Sequence, residues 1–456
     1  MQADVDEYDL STVLNRDSFT QLVEFRQCPI EGRSLVNKQP LAPGDIVLVE
    51  RPHLQYLLNP TCRSSISPHY TKKLWQSLEE ILDPYDDEFI PGIPAAMLAY
   101  LNLDHPDDDY DFFYYPDFSH PTVDLVRQVC HEATATLPEF AKVDADSMSR
   151  FILKIYGNAH TVSFHHDRGK TTHTRRKQRR EYYRSKWGES YSFQYDDLSR
   201  QRGMICLMSW GSKFAHACAP NLFLQYEPKE NCMVFRAVRH LEPGTVLSFS
   251  YLPEDDMSLG GLVCGTTAMR RAKLDKFKFF HCQCTRCTKE EGEEKQEEDV
   301  VSKQMQATVL KLAAVAHGLQ EDPEAISMIE PYLIEELGEN NVPKDHWVYG
   351  MAQSALAAYH LRIFPTMFGK GLAERLGLMD KGLDEAEAYI QYLHQHIWPD
   401  NPMAAFFAGW RVLELVLPRD HPLVALVKEH WIPLVHQVFE KRRSPVIDDM
   451  IQRIGK

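Results

Sequence analysis

Apolar residues along this chain change their spacing several times, and each change predicts a different kind of element. Over residues 22–50, "LVEFRQCPIEGRSLVNKQPLAPGDIVLVE", the short runs "RSLVNK" and "DIVLVE" flank "PLAPGD". Its Pro43-Gly44 step is a turn signal, so strands are expected on both sides. Over 54–160 the spacing becomes helical: "TKKLWQSLEEIL", "PAAMLAYLNL" and "VDLVRQVCHEATATL" place apolar residues three and four apart. Among them lies "DHPDDDYDFFYYPDFSHP", acidic and aromatic, whose prolines forbid a long helix and predict a surface loop. Residues 203–252 return to strands and turns in "GMICLMSW", "NLFLQYE", "CMVFRAV" and "LEPGTVLSFSYL". An acidic run, "KEEGEEKQEEDV" (289–300), opens a last region that is almost entirely helical in pattern. Its paired amphipathic segments suggest an α-solenoid-like array in the style of tetratricopeptide repeats, although no clean period of about 34 residues runs through them.

Size and charge narrow the classes. The 456 residues suffice for two or three domains, with 44% hydrophobic and 25% charged residues, as in ordinary soluble proteins. A net charge of −15 argues against general nucleic-acid affinity, which needs a clustered positive field, and no direct sequence-specific nucleic-acid binding is expected. One basic stretch stands apart, "RGKTTHTRRKQRREYYRSK" (168–186). It reads either as a solvated face or, on "RRKQRR", as an electrostatic patch or nuclear-import signal. The start, "MQADVDEYDL", has no apolar h-region, and no apolar run approaches the roughly 20 residues that span a bilayer. Ten cysteines, mostly scattered singly, do not form a disulfide framework. No membrane association and a cytoplasmic or nuclear location are therefore expected.

Common catalytic signatures fail. "GKGLAERLG" (369–377) has the wrong glycine spacing for a dinucleotide fingerprint, and there is no P-loop or G-x-S-x-G elbow. "CHEATAT" (130–136) lacks the second histidine of a zincin helix, and "HQH" (394–396) fits a surface pair on a helix. What does carry chemistry is "HCQCTRC" (281–287), which packs Cys282, Cys284 and Cys287 into six residues. Three thiols this close point to a metal, and zinc takes four ligands in a tetrahedron. Local spacing leaves the fourth open among Cys28, Cys62, Cys130, Cys206, Cys218, Cys232 and Cys264.

Four segments in order carry a resemblance. "FAHACAPN" (214–221) resembles the N-H-S-C-x-P-N motif of SET-domain protein lysine methyltransferases. "GRSLVNKQPLAPGDIVLVERP" (32–52) looks like that family's opening hairpin, and "LEPGTVLSFSYL" (241–252) like its G-E-E-L-x-x-x-Y segment, ending on Tyr251. "FFHCQCTRC" (279–287) resembles the post-SET C-x-C-x-x-C. The split domain and helical C-terminal half look like the SET-and-MYND subfamily, but residues 54–150 offer only Cys62 and Cys130, so the MYND finger is missing. The resemblance implies an α+β fold: an N-terminal tail (1–21), the hairpin (22–53), a helical insert (54–160) and a basic insert loop (161–201). The SET core (202–260), the post-SET zinc segment (261–290) and an all-α, tetratricopeptide-like domain (291–456) follow.

It also implies chemistry. Cys218 would complete the zinc tetrahedron with Cys282, Cys284 and Cys287, clamping the post-SET tail over a site for S-adenosylmethionine. The "AHAC" segment and the one ending at Tyr251 would pass one another in a knot-like core. The substrate would be a protein carrying a lysine, with Tyr251 orienting its amine, and the C-terminal helices are a candidate surface for a protein partner. Gly32, Arg33, Ser34, Asn158, Ala215, His216 and Phe280 fall at cofactor-binding positions. Departures from the family pattern fall on this chemical surface. Ala215 replaces an asparagine that would contact the cofactor's methionine end. Lys278 replaces the second active-site tyrosine unless Phe277 shifts there; it would bring positive charge beside the sulfonium or point outward. Ser34 in "EGRSL" replaces part of a glycine-rich turn. Three readings follow: a divergent methyltransferase, a non-catalytic SET scaffold that binds partners, or a pocket turned to another small-molecule reaction.

Overall fold

The computed structural model describes residues 9–57, 69–82, 84, 92–103, 110, 112–163, 203–252, 264–293, 300–318, 322–417 and 421–455. The basic stretch 168–186 and Cys62 lie outside them.

Among the described residues, ten short strands form four small sheets. β1 (Val23–Cys28) and β2 (Gly32–Asn37) make an antiparallel hairpin whose tight return needs the positive φ of 69° at Gly32. β3 (Ile46–Glu50) follows the Pro43-Gly44 turn, and β4 (Leu54–Leu57) comes next. After the insert come β5 (His160–Ser163), β6 (Gly203–Leu207), β7 (Ala215–His216), β8 (Leu222–Glu227), β9 (Cys232–Ala237) and β10 (Ser248–Phe249). The sheet orders are β1-β2, β3-β9-β8, β4-β6-β5 and β10-β7. Two Pro-Gly turns are joined back to back. Leu41 and Leu241 exchange both backbone bonds at 2.9 Å, just before Gly44 (φ 89°) and Gly244 (φ 85°).

Helices begin where the sequence offers caps. Asp144 accepts from Ser147 N at 2.7 Å to start Ala145–Asn158. In the last region Asp322-Pro323 and Asn401-Pro402 each set an oxygen on the third backbone N–H while proline takes the first helical position. The insert helices Lys72–Leu82, Gly92–Tyr100, Pro121–Thr136 and Ala145–Asn158 pack into one cluster around Met97, Val126, Phe140 and Ile152. The C-terminal region is all helical and forms a second core around Met351, Tyr389, Phe406 and Trp431, which also takes in Cys218, Cys282 and Cys287. Among its described residues, wide π turns interrupt or end three helices, at Tyr359–Ile363, Leu393–Ile397 and Val427–Trp431. The strand region touches the C-terminal helices directly. Phe223 on β8 stacks on Phe407 at 5.6 Å, Arg236 donates to the carbonyl of Arg442 at 2.8 Å, and Lys441 pairs with Asp45.

Four expectations change. Residues 9–22 are not a tail: Arg16–Leu22 is helical, Phe19 is fully buried with its ring 5.4 Å from Trp210, and Asp9 O accepts from Trp210 Nε1 at 2.8 Å. The insert does not begin at residue 54, because β4 pairs Leu54–Leu57 against Met204–Leu207. The acidic aromatic loop is not all surface, since Tyr110 and Phe113 are buried and pack on His53 at 5.2 and 5.6 Å. Finally, the helical insert does not run to residue 160: its last helix ends at Asn158 and β5 begins at His160. No helix among the described residues is long and apolar enough to cross a membrane.

Candidate active site and metal centre

β7 and β10 are each two residues long, too short to hold themselves together. They run parallel with Ser248 opposite Ala215 and Phe249 opposite His216, supported by Ala215 N to Leu247 O (3.0 Å) and Ala217 N to Phe249 O (3.2 Å). Asn221, buried beside them, fastens the crossing: its Oδ1 accepts from Ser248 N at 2.8 Å and its Nδ2 donates to Val246 O at 2.7 Å. The hairpin reaches the same place through Leu247 N, which donates to Leu35 O at 2.9 Å.

Tyr251 follows this crossing. Its backbone N–H donates to His216 Nδ1 at 2.9 Å, and its hydroxyl donates to Phe214 O at 2.6 Å. Because Nδ1 accepts, His216 carries its proton on Nε2, which faces Cys218 Sγ at 3.3 Å. Burial pushes this imidazole down to about 3, so it stays neutral. Around the Tyr251 ring stand Phe249 (5.1 Å), His216 (5.1 Å), His160 (5.4 Å) and Phe280 (6.1 Å). Burial also holds His160 well below the ordinary imidazole range and the Tyr251 phenol above its own.

Lys278 settles one expectation. It does not point outward: its Nζ donates to Ala159 O at 2.6 Å and lies 5.6 Å from the centre of the Tyr251 ring. Desolvation pushes this amine down to about 7. Phe277 does not take the vacant tyrosine's place, since it packs against the insert's core with Lys273 Nζ 4.1 Å over its ring.

Behind Tyr251 the four cysteines converge. Cys218 follows β7; Cys282 and Cys284 lie in the segment after helix Thr267–Lys278, which ends at Phe279 in a left-handed turn (φ 62°). Cys287 sits in the first turn of Thr285–Glu293. Their sulfurs all lie within 4.8 Å of one another, with Cys218 4.0 Å from Cys282 and 3.6 Å from Cys287. A tetrahedron with Zn–S bonds of about 2.3 Å has S–S edges of about 3.8 Å, so the donor set and spacing fit zinc. Hydrogen bonds from the other three thiols hold the Cys284 thiol well below its ordinary range. Arg270, with no side-chain exposure, reaches Cys287 Sγ at 3.5 Å and Glu290 at 2.6 Å. Its charge would oppose the net negative charge of four zinc-bound thiolates.

The remaining sequence candidates divide. Phe280, His216, Tyr251 and Ala215 share the crossing, and Ala215 presents only a methyl there. Ser34 is buried, its hydroxyl donating to Glu31 O at 3.1 Å within its own hairpin, and Arg33 lies 4.4 Å over the Phe25 ring. The Asn158 amide is committed to the fold: it donates to Tyr114 O and Lys154 O, both at 2.8 Å, and accepts from Tyr114 N at 3.2 Å.

Sequence reasoning missed three contributors. Glu50, fully buried, accepts from Trp210 N (3.0 Å), Gly211 N (2.8 Å) and Thr12 Oγ1 (2.9 Å), anchoring the turn that leads into β7. A carboxylate closing the apolar run "DIVLVE" was its signal. Asn221 stood in the quoted motif without a role, and nothing in the sequence singled out Arg270.

Residues 32–252 match the family model of the SET domain. No curated protein matches the chain.

Proposed function

With a SET domain at residues 32–252 as the premise, we propose that this protein is an S-adenosylmethionine-dependent protein lysine N-methyltransferase. The carrying observation is the placement of the Tyr251 hydroxyl on Phe214 O, inside an aromatic cluster backed by the four-cysteine site. Bound S-adenosylmethionine supplies an electrophilic methyl group on a sulfonium. The chain's own residues do the rest. With its proton committed to Phe214 O, the Tyr251 oxygen offers lone pairs to an amine N–H and so turns the nitrogen's own lone pair toward the transfer direction. Tyr251, Phe249, Phe280 and the neutral rings of His160 and His216 exclude water, which disfavours an ammonium and leaves a nucleophilic amine. Alignment of this kind supplies about 7–11 kcal/mol.

We assign zinc to Cys218, Cys282, Cys284 and Cys287, and the cofactor to the neighbourhood of His216, Ala215, Phe280 and the Gly32–Ser34 hairpin. The zinc would tie the segment carrying Phe280 to the segment carrying His216. A protein substrate follows from the reaction class. The subfamily likeness to SET-and-MYND proteins, the tetratricopeptide-like character of the C-terminal helices, a partner on those helices and a cytoplasmic or nuclear location belong to the same proposal.

Calorimetric titration of zinc-loaded protein with S-adenosylmethionine and S-adenosylhomocysteine tests it, followed by methyl transfer to lysine peptides by wild type and Tyr251→Phe. Binding should survive the substitution, and transfer should fall about 10²–10³-fold, as when an oriented polar group is removed from an active site. Full activity in Tyr251→Phe would remove the role given to Tyr251. No heat at millimolar ligand would end the methyl-transfer reading in favour of a scaffold, for which Ala215 and its lost amide are the favouring observation.

A further inference from the structure

Lys278 brings a second lysine question into the site. Its side chain enters from the end of helix Thr267–Lys278, its Nζ donates to Ala159 O at 2.6 Å, and it stands 5.6 Å from the centre of the Tyr251 ring. Ala159 immediately precedes His160, whose ring packs 5.4 Å from that of Tyr251. The chain thus holds one of its own primary amines beside the tyrosine that would orient a substrate amine, in the same aromatic surroundings.

We propose that Lys278 is an intramolecular methyl acceptor: the protein methylates its own Lys278, and the modified side chain stays in the site. This rests on the methyltransferase reading. Three features support it. The hydrogen bond to Ala159 O fixes the amine without consuming its lone pair, because nitrogen is the donor. Desolvation brings the amine down to about 7, so near neutral pH a large share is uncharged and nucleophilic. The Tyr251 ring stands beside the amine, and its hydroxyl donates to Phe214 O, which leaves the oxygen's lone pairs open to an amine N–H. In the reaction the Lys278 nitrogen forms a bond to the methyl carbon while the carbon–sulfur bond breaks. The bonding pair returns to sulfur as the thioether of S-adenosylhomocysteine, and the methylated ammonium gives its extra proton to water. No further reactant is required.

The test uses full-length, zinc-loaded protein and isotope-labelled S-adenosylmethionine without any peptide. Peptide mapping should find label on Lys278, falling to background there in Tyr251→Phe. Calorimetry supplies a readout independent of transfer. Below pH 7 the amine carries its charge, and a charged amine close to the sulfur weakens binding of the sulfonium but not of the thioether, so at about pH 6 Lys278→Met should raise the affinity ratio of S-adenosylmethionine to S-adenosylhomocysteine several-fold. A residue acting only on folding would shift both ligands together. Cofactor binding with Lys278 unlabelled after prolonged incubation overturns the inference and leaves the methyltransferase reading standing. An unchanged affinity ratio at about pH 6 in a folded Lys278→Met protein also overturns it, because the amine would then not lie beside the sulfur. Failure to bind either ligand in wild type refutes both readings at once.

Discussion

Replacing Arg270 with methionine should weaken zinc binding without abolishing the fold. The side chain is fully buried, and its guanidinium donates to Gly265 O (2.5 Å), Thr267 Oγ1 (3.1 Å), Glu290 Oε2 (2.6 Å) and Cys287 Sγ (3.5 Å). Burial works against its charge, but the negative charge of the Cys218 thiolate and the Glu290 carboxylate outweighs that and holds it protonated. Methionine keeps much of the volume and removes both the charge and the donor facing sulfur. A hydrogen bond to a charged acceptor contributes about 1.5–3 kcal/mol, which corresponds to a zinc affinity lower by about 10- to 150-fold. The folding cost should be smaller than the 3–5 kcal/mol typical of a broken buried ion pair, because Glu290 is a quarter exposed and keeps Arg286 at 2.7 Å. Competition against a chromophoric chelator at fixed pH reads the affinity, with circular dichroism as the check on folding. Arg270→Lys, which keeps the charge but not the fork, should fall between wild type and Arg270→Met. A folded Arg270→Met protein whose affinity lies within about twofold of wild type would refute the counter-charge argument.

Other consequences follow from the same contacts. Asn221→Ala strands the Ser248 N–H and the Val246 carbonyl at the β7–β10 crossing and should cost about 2–4 kcal/mol in denaturant unfolding; a loss below about 0.5 kcal/mol would mean the crossing holds without it. Gly44→Ala adds a Cβ at φ 89° that collides with the backbone oxygen of Gln437. It should therefore expose the contact between the turn and the C-terminal helices to limited proteolysis, and an unaltered digestion pattern would count against that contact. Lys278 sets a pH signature. Its folded value of about 7 lies below the ordinary 10.5, so between these the unfolded chain binds more protons and stability rises with pH, the full penalty applying below 7. Across this range the slope of unfolding free energy against pH should be more positive in wild type than in Lys278→Met, and equal slopes would count against the buried amine.

Much of the architecture is readable from local pattern. Alternating and helical spacing separate the strands at 32–50 and 203–249 from the helices on either side, and Pro43-Gly44 announces a turn that needs positive φ. The cysteine motif gives three of four sulfurs directly, while the choice of Cys218 rests on resemblance because no spacing rule reaches across more than sixty residues of chain. The π turns at 359–363, 393–397 and 427–431 leave no such trace. One extra residue per turn is too small a break to show against an apolar face.

The sequence by itself determined most of the strand and helix segments, the Pro-Gly turns, and that a cysteine cluster accompanies a SET-like motif. These follow from side-chain period, backbone restriction at Pro and Gly, and ligand chemistry, all of which act over a few residues. The tertiary structure decided which residues face one another. It buried Phe19 of the supposed tail against Trp210, drew Tyr110 and Phe113 out of an acidic loop into a core, and committed the Asn158 amide to Tyr114 and Lys154. It also turned Lys278 inward beside Tyr251. The direction of a long side chain depends on the surfaces that distant segments bring to it, and here the acceptor on Ala159 and the aromatic wall arrive from more than a hundred residues and about thirty residues away respectively.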